Sequence, residues 1–386
     1  MRNVAALLTA TSIFLACTST APRADAPQNA TAAAREAQPE PQAQRAVAPD
    51  TPLPWKQLTT EAYRGKQDDI FFIDEKTGWY VNGAGRIYKS TDGGETWVLK
   101  LNKPGTYFRC IAFVDEKRGF AGNIGTEYFP NVTDETPLYE TRDGGETWTA
   151  VTSITGPAVK GLCAIWVNRF SYINAGNLDY KTHIYAAGRV GGPAFLMKST
   201  DGGDTWTTTD LSEYTAIITD VMMFDEFNGV ICGSSDRNTQ TSNARIITTS
   251  DGGKTWTTRY QSARPYEITW KVSFPTRKTG YVTVQNYNPD KTVSQRYVAK
   301  STDGGMTWSE LPVTDDHAFR EFGIGFIDEN TGWIGGSTTG FETRDGGATW
   351  RAVNLGKATN KIRLMETDHG FVGYAIGVDV YKLDAE

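Results

Sequence analysis

The stretch STDGGETW occupies Ser90 to Trp97, and close copies of it return five more times along the 386-residue chain. They read TRDGGETW from Thr141, STDGGDTW from Ser199, TSDGGKTW from Thr249, STDGGMTW from Ser301 and TRDGGATW from Thr343. Such an octamer is either six copies of a binding site or six copies of one structural staple, and the choice decides where function is to be sought. Its tryptophans (Trp97, Trp148, Trp206, Trp256, Trp308, Trp350) recur at intervals of roughly 40 to 60 residues, the size range of a four-stranded propeller blade.

Each interval shows the same order of signals. An apolar alternating segment such as DIFFID (69–74) or RCIAFVD (109–115) comes first, followed by a turn and a glycine-aromatic segment such as TGWYVNG (77–83) or TGWIGG (331–336). A third segment runs into the octamer and a fourth leaves through its Thr-Trp. Period-two alternation between Gly and Asp turns predicts strands throughout, and no segment carries a helical period. The ends complete each other. A unit begins at residue 360 but stops after its third strand, while PWKQL (54–58) is an orphan fourth strand with its own Trp55. Joining them predicts an all-β, seven-bladed propeller, closed without exposed sheet edges.

Within the octamer, Asp92, Asp143, Asp201, Asp251, Asp303 and Asp345 each precede Gly-Gly in a hairpin between third and fourth strands. A short carboxylate there accepts hydrogen bonds from turn N–H groups, and glycine supplies φ > 0. The pattern Ser/Thr-x-Asp-x-Gly-x-Thr-Trp resembles the Asp-box, or BNR repeat, of sialidases, xyloglucan-cleaving hydrolases, sortilin-type receptors and photosystem II assembly factors. That resemblance implies that the boxes are structural and lie on the face away from the active or binding site. In length, leader, blade number and box spacing the chain looks most like the photosystem II stability/assembly factor lipoproteins.

The N-terminal part belongs to another regime. Arg2 is followed by an apolar run from Val4 to Ala16, too short to span a bilayer as a mature helix. It ends in FLAC, which resembles a bacterial lipobox and implies diacylation of Cys17. Residues 1–17 are expected to be a signal peptide, and 18–53, rich in Ala, Pro and Gln, a disordered tether. The propeller is expected over 54–386. A Gram-negative host would place the protein as an outer-membrane lipoprotein on the periplasmic side, touching membrane only through its anchor. Net charge is −6 with no Lys/Arg run, which argues against a nucleic-acid partner. Cys110, Cys163 and Cys232 are an odd set beyond Cys17 and are expected to be buried free thiols.

Function is expected on the face opposite the octamers, where second-to-third strand loops gather. Long segments at 123–140, 176–195, 233–246 and 285–297 carry Tyr128, Phe129, Tyr180, Tyr185 and Tyr287 among polar residues. This composition suits a protein or a polymer. Reading back from each first strand places Asp68, Arg109, Lys160, Asp220, Lys271, Arg320, Glu321 and Arg363 at a channel mouth. Its basic members resemble the arginine-rich patch of the assembly factors, which implies a protein or peptide client. The alternative is a carbohydrate-active glycoside hydrolase or polysaccharide lyase, for which Asp68, Asp220 and Glu321 are the available carboxylates. No catalytic motif supports it. His183, His317 and His369 lack metal-ligand spacing, and no cofactor or metal is expected.

Overall fold

The computed structural model describes residues 52–174 and 177–385. The expected signal peptide, Cys17 and the expected tether up to residue 51 lie outside the described residues. Everything described is strand, turn or loop, and no helix among these residues is long and apolar enough to cross a membrane. Seven sheets, each built on four antiparallel strands, are arranged so that first strands of successive blades lie side by side. The first strand of blade 7 (Lys361–Thr367) adjoins that of blade 1 (Gln67–Phe72), which closes the ring.

Closure uses the two ends of the chain as the sequence predicts. Lys56–Leu58 pairs antiparallel with Val380–Ala385, with Lys56 opposite Lys382 and Leu58 opposite Val380. Trp55 meets Trp333 edge-on at 5.4 Å, and the Leu53 N–H donates to Glu342 at 3.1 Å. Propeller packing therefore begins at Leu53.

The octamers are staples. In the first, Ser90 Oγ donates to Asp92 Oδ1 (2.8 Å) and accepts the Gly94 N–H (2.8 Å). The Thr96 N–H (2.9 Å) and hydroxyl (2.5 Å) both donate to the Asp92 carboxylate. Gly93 and Gly94 sit at φ 75° and 91°, where a β-carbon is strained, and every copy repeats the pair. The hairpin is tied in turn to the first-to-second turn of its own blade: the Gly93 N–H donates to Lys76 O (2.9 Å) and the Gly144 N–H to Lys117 O (2.8 Å). Both kinds of turn thus share one face, the octamer face. On the other, loop, face the Leu162 N–H of the blade link donates to Asn123 O at the end of a second strand (2.8 Å).

The glycine that opens most second strands has a packing cause. A Cβ on Gly78, Gly119, Gly280 or Gly332 would lie 2.2–2.5 Å from the ring of Phe72, Phe113, Phe274 or Phe326. The absent side chain lets the phenylalanine of the first strand lie flat across its neighbour.

Blade 3 departs from the expected plan. Its first two strands, Ala164–Asn174 and Asn177–Ala187, pair along their whole length, so residues 177–187 are strand rather than loop. Only 188–194 remains to link second and third strands. Tyr180 and Tyr185, expected in a loop on the functional face, lie elsewhere: Tyr185 is buried against blade 4, and Tyr180 is on an extended hairpin of the octamer face. Blade 3 also gains a short strand, Ile154–Thr155, parallel to Trp206–Thr207. Cys110, Cys163 and Cys232 are buried free thiols, as expected.

Two tests follow from the staple. Trp206 is 1 % exposed and its Nε1–H donates to Gly203 O (3.1 Å), so Trp206→Ala should cost about 3–5 kcal/mol in urea unfolding. Thr96 and Thr147 hold Asp92 and Asp143 down to about 2, below the ~3.9 of an unfolded chain. Stability from these carboxylates is present above about pH 4 and is lost as pH falls toward 2. The melting temperature should drop over that interval; a flat profile there would contradict the role given to the aspartates.

Candidate functional site: the channel and its loop-face mouth

Bulges in the first strands turn successive charged side chains into the channel. Register shifts fall at Gln67/Asp69, Phe108/Cys110, Ile218/Asp220, Thr269/Val272 and Glu321/Ile324. An extra residue in a strand re-aims its neighbours. Asp68 is thereby paired with Arg109 and with Lys66 (3.3 Å), Asp69 with Lys361 (2.9 Å) and Arg363 (3.1 Å), and Asp220 with Lys271 (3.7 Å). Five cations thus face three carboxylates, and the channel keeps an excess of positive charge. Burial, then the Arg109 guanidinium, pull Lys66 down to about 7 against the opposing pull of Asp68. Burial and Arg363 bring Lys361 to about 8.

Above this network an aromatic cluster covers the loop-face mouth. Tyr107 stacks on Phe129 at 4.5 Å, Tyr128 meets Phe129 edge-on, and Trp270 meets Phe322. The Arg109 guanidinium lies 5.2 Å from the Trp270 ring and that of Arg320 4.8 Å from Tyr287. The blade 2 loop reaches the mouth through a fixed turn. Gly125 (φ 76°) has no room for a Cβ, which would fall 1.8 Å from Lys160 O. Glu127 adopts φ 74°, and its carboxylate bridges Lys160 (2.9 Å) and Arg189 (3.1 Å). A non-glycine residue in that region is strained, and the two ion pairs hold it there.

The predicted site residues divide into three groups. Tyr128, Tyr287, Lys160 and Arg320 come together around the mouth, with Tyr128, Lys160 and Arg320 exposed. Arg320 has no carboxylate partner among the described residues. Arg109 and Lys271, expected at an open rim, are instead buried at 7 % and 4 % exposure and neutralised from within, because the bulges point them inward. Arg363 lies deeper still, lining an apolar cavity of about 320 Å³ toward the octamer end with Phe71, Phe113, Trp166, Met365 and Tyr374. Tyr180 is on the opposite face altogether.

Sequence reasoning missed Lys66, whose charge falls in the link before blade 1 rather than at a strand start. It also missed Trp270 and Gln285. Both are buried, and among the described residues Trp270 Nε1 and Gln285 Nε2 find no acceptor, while the Tyr287 hydroxyl donates to Gln285 Oε1 at 2.5 Å. Buried donors left unpaired in a native protein call for an explanation, and an acceptor on a bound ligand is one.

The carboxylates named for a hydrolase are placed otherwise. Asp68 and Asp220 are held in the ion pairs above. Glu321 is fully buried, and burial pushes its pKa well up. His183 is buried beside Phe170, His317 Nε2 bonds Asn288 O, and His369 sits in a turn. No group of three or more metal-ligating side chains occurs among the described residues.

No protein-family model matches the chain. A photosystem II assembly lipoprotein, Ycf48 of Synechococcus sp. (strain CC9902), is 23 % identical over 338 residues, 83 % of this chain and 85 % of that protein. Among solved structures, YCF48 bound to D1 peptide superposes with a TM-score of 0.60 at 16 % identity, covering 87 % of this chain and 96 % of the other. YCF48 from Cyanidioschyzon merolae gives 0.59 at 16 %, covering 85 % and 98 %. An ancestral GH74 enzyme gives 0.57 at 14 %, covering 86 % of this chain but 46 % of its own. The structural likeness is one of fold. The chain is similar in sequence to Ycf48 and shares its propeller fold.

Burial separates the basic residues by experiment. Arg109→Ala strands the fully buried Asp68 with only Lys66 and should cost about 3 kcal/mol in chemical unfolding. Arg320→Ala, exposed and resting on one ring, should change stability by no more than about 0.5 kcal/mol. Equal losses would show that the guanidinium of Arg109 is not the buried strut described.

Proposed function

We propose that this is a lipid-anchored propeller of the bacterial envelope that binds a protein or peptide segment at the loop-face channel mouth, without catalysis. The observation that carries the reading is the pair of buried donors unpaired among the described residues, Trp270 Nε1 and Gln285 Nε2, within the aromatic cluster that Arg320 borders. Donors of this kind suit the carbonyls and carboxylates of an extended peptide, and the rings suit its side chains. The similarity to Ycf48, one structure of which holds a D1 peptide, supports a peptide ligand and an assembly role. That relative is named a lipoprotein, which supports reading Cys17 as the lipidated residue. A glycosidase reading lacks comparable support: two of its candidate carboxylates are ion-paired and the third is buried.

The test is capture of envelope proteins by the wild type and by Arg320→Ala/Tyr128→Ala, alongside melting curves. The double variant should keep its melting temperature and lose client affinity by about 1–3 kcal/mol, in the range of charge-assisted contacts. An unchanged set of captured proteins at matched stability would contradict the site. Lys66, held near 7, is a cation below that pH and neutral above it. Affinity for an acidic segment should therefore fall from pH 6 to pH 8, and should also fall with added salt. For the anchor, Cys17→Ser should move the protein from the membrane to the soluble fraction with the propeller still folded; wild type found wholly soluble would remove the anchor from the reading.

A further inference from the structure

The extended hairpin of blade 3 has no counterpart in the other six blades. In blade 3 the octamer Gly202 N–H donates to Thr182 O at 3.0 Å, the bond that Gly93, Gly144, Gly252, Gly304 and Gly346 make to the carbonyl of a first-to-second turn. Thr182 pairs with Arg169, so residues 170–181 lie beyond the level at which other blades turn back. Five residues per strand at ~3.3 Å each make an arm of roughly 16 Å standing out from the octamer face.

Its residues are graded along its length. Nearest the tip, Ile173 and Leu178 face each other across the strands, 70 % and 59 % exposed, the two most exposed large apolar side chains among the described residues. One and two residues further in come Tyr172, whose hydroxyl bonds Asp179 (2.8 Å), and Tyr180, 48 % exposed. At the base stand two cations, Lys181 against Tyr172 (5.3 Å) and Arg169 over Tyr180 (4.3 Å).

We propose that the arm is a membrane-inserting hairpin. The apolar tip enters the boundary of an anionic bilayer, the tyrosines lie at headgroup level, and Arg169 and Lys181 meet lipid phosphates. That sequence of apolar, aromatic and basic layers is the order of a water–lipid interface. The distance from Tyr180 to the tip pair, two residues or ~7 Å, matches the shallow depth of interfacial segments. Charge agrees: residues 169–182 hold two cations and one carboxylate in a chain of net charge −6. The route of the chain agrees as well. Lys56 is paired with Glu95 of the first octamer (2.9 Å), so the described chain starts on the face that bears the arm, and the anchored segment proposed above joins it there. This last point rests on the anchored reading; the layering of the arm does not.

Among the described residues every packed cluster lies at or beyond Leu53, and a chain starting at Thr18 keeps all of them without lipid or the expected signal peptide. That protein is floated with vesicles of equal parts phosphatidylglycerol and phosphatidylcholine. Wild type should float, and Ile173→Ser/Leu178→Ser should reduce partition at least about tenfold at an unchanged melting temperature. Arg169→Gln/Lys181→Gln should weaken binding to these vesicles and not to phosphatidylcholine alone, and a Leu178→Trp reporter should shift its emission to the blue on vesicles. Wild type that stays in solution, or partition indifferent to the serine pair, overturns the proposal. So does an arm-dependent dimer in sedimentation that vesicles fail to dissociate, which would assign the tip to a second copy of the chain. Membrane release by Cys17→Ser reads the anchor separately, so either claim fails alone.

Discussion

The seam between blades is the contact on which the rest of the molecule depends. A phenylalanine of one first strand stacks on an aromatic of the preceding blade's second strand: Phe72 on Tyr374 at 3.8 Å, Phe113 on Trp79 at 3.5 Å, Phe326 on Tyr281 at 3.6 Å. The same aromatic then donates to an octamer carbonyl of the next blade, Tyr374 to Gly93 O, Trp79 to Gly144 O and Tyr281 to Gly346 O, at 3.1–3.3 Å. Each ring therefore joins two blades by stacking and by a hydrogen bond. The glycine of the second strand makes room for the phenylalanine, and the octamer glycine presents the carbonyl. A motif that looks local in sequence is half of a joint whose other half belongs to its neighbour.

Because the seam fixes seven first strands in a ring, it also fixes what their bulges point at. Side chains turned inward meet one another rather than solvent, and a channel of charged residues is stable only where each carboxylate finds cations. Asp68, Asp69 and Asp220 do so, with the cations in excess. Desolvation then bears hardest on the ammonium groups, and Lys66 sits where a further anion would relieve it. The same constraint that makes Arg109 a strut leaves Arg320 exposed at the mouth with no carboxylate partner among the described residues. Buried, ion-paired positions and exposed ones are thus split among basic residues that look alike in sequence.

The fold was legible because its determinants repeat. Six octamers, a glycine before each aromatic, and complementary half-units at the two ends need no knowledge of side-chain direction. The site was legible only as to its face. Tyr128, Tyr287, Lys160 and Arg320 lie at the loop-face mouth because loop length and strand starts locate them there. Arg109 and Lys271 were misjudged because a bulge reverses which of two adjacent residues faces the channel, and one residue of register is invisible to a period-two pattern. Tyr180 was misplaced because the blade 3 segment was divided at its glycine. The alternation in AIWVNRFSYIN and NLDYKTHIYAA, mirrored about Asn174 and Asn177, was the signal for one long hairpin.

That hairpin also qualifies the inference that a face made of staples is a face without function. The octamer needs its partner turn only at one carbonyl, Thr182 in blade 3 and Lys76 in blade 1. Everything beyond that carbonyl is free of the seam, so strands can lengthen there without disturbing the ring. The cost falls on the added segment, which must hold its shape with two strands and cross-strand pairs alone. Tyr172 with Asp179, Arg169 with Tyr180 and Lys181 with Tyr172 provide such pairs along the shaft. They leave Ile173 and Leu178, the two most exposed large apolar side chains among the described residues, facing each other at the end. A ribbon stiffened by polar and aromatic pairs that delivers two aliphatic side chains to its tip is built to present them.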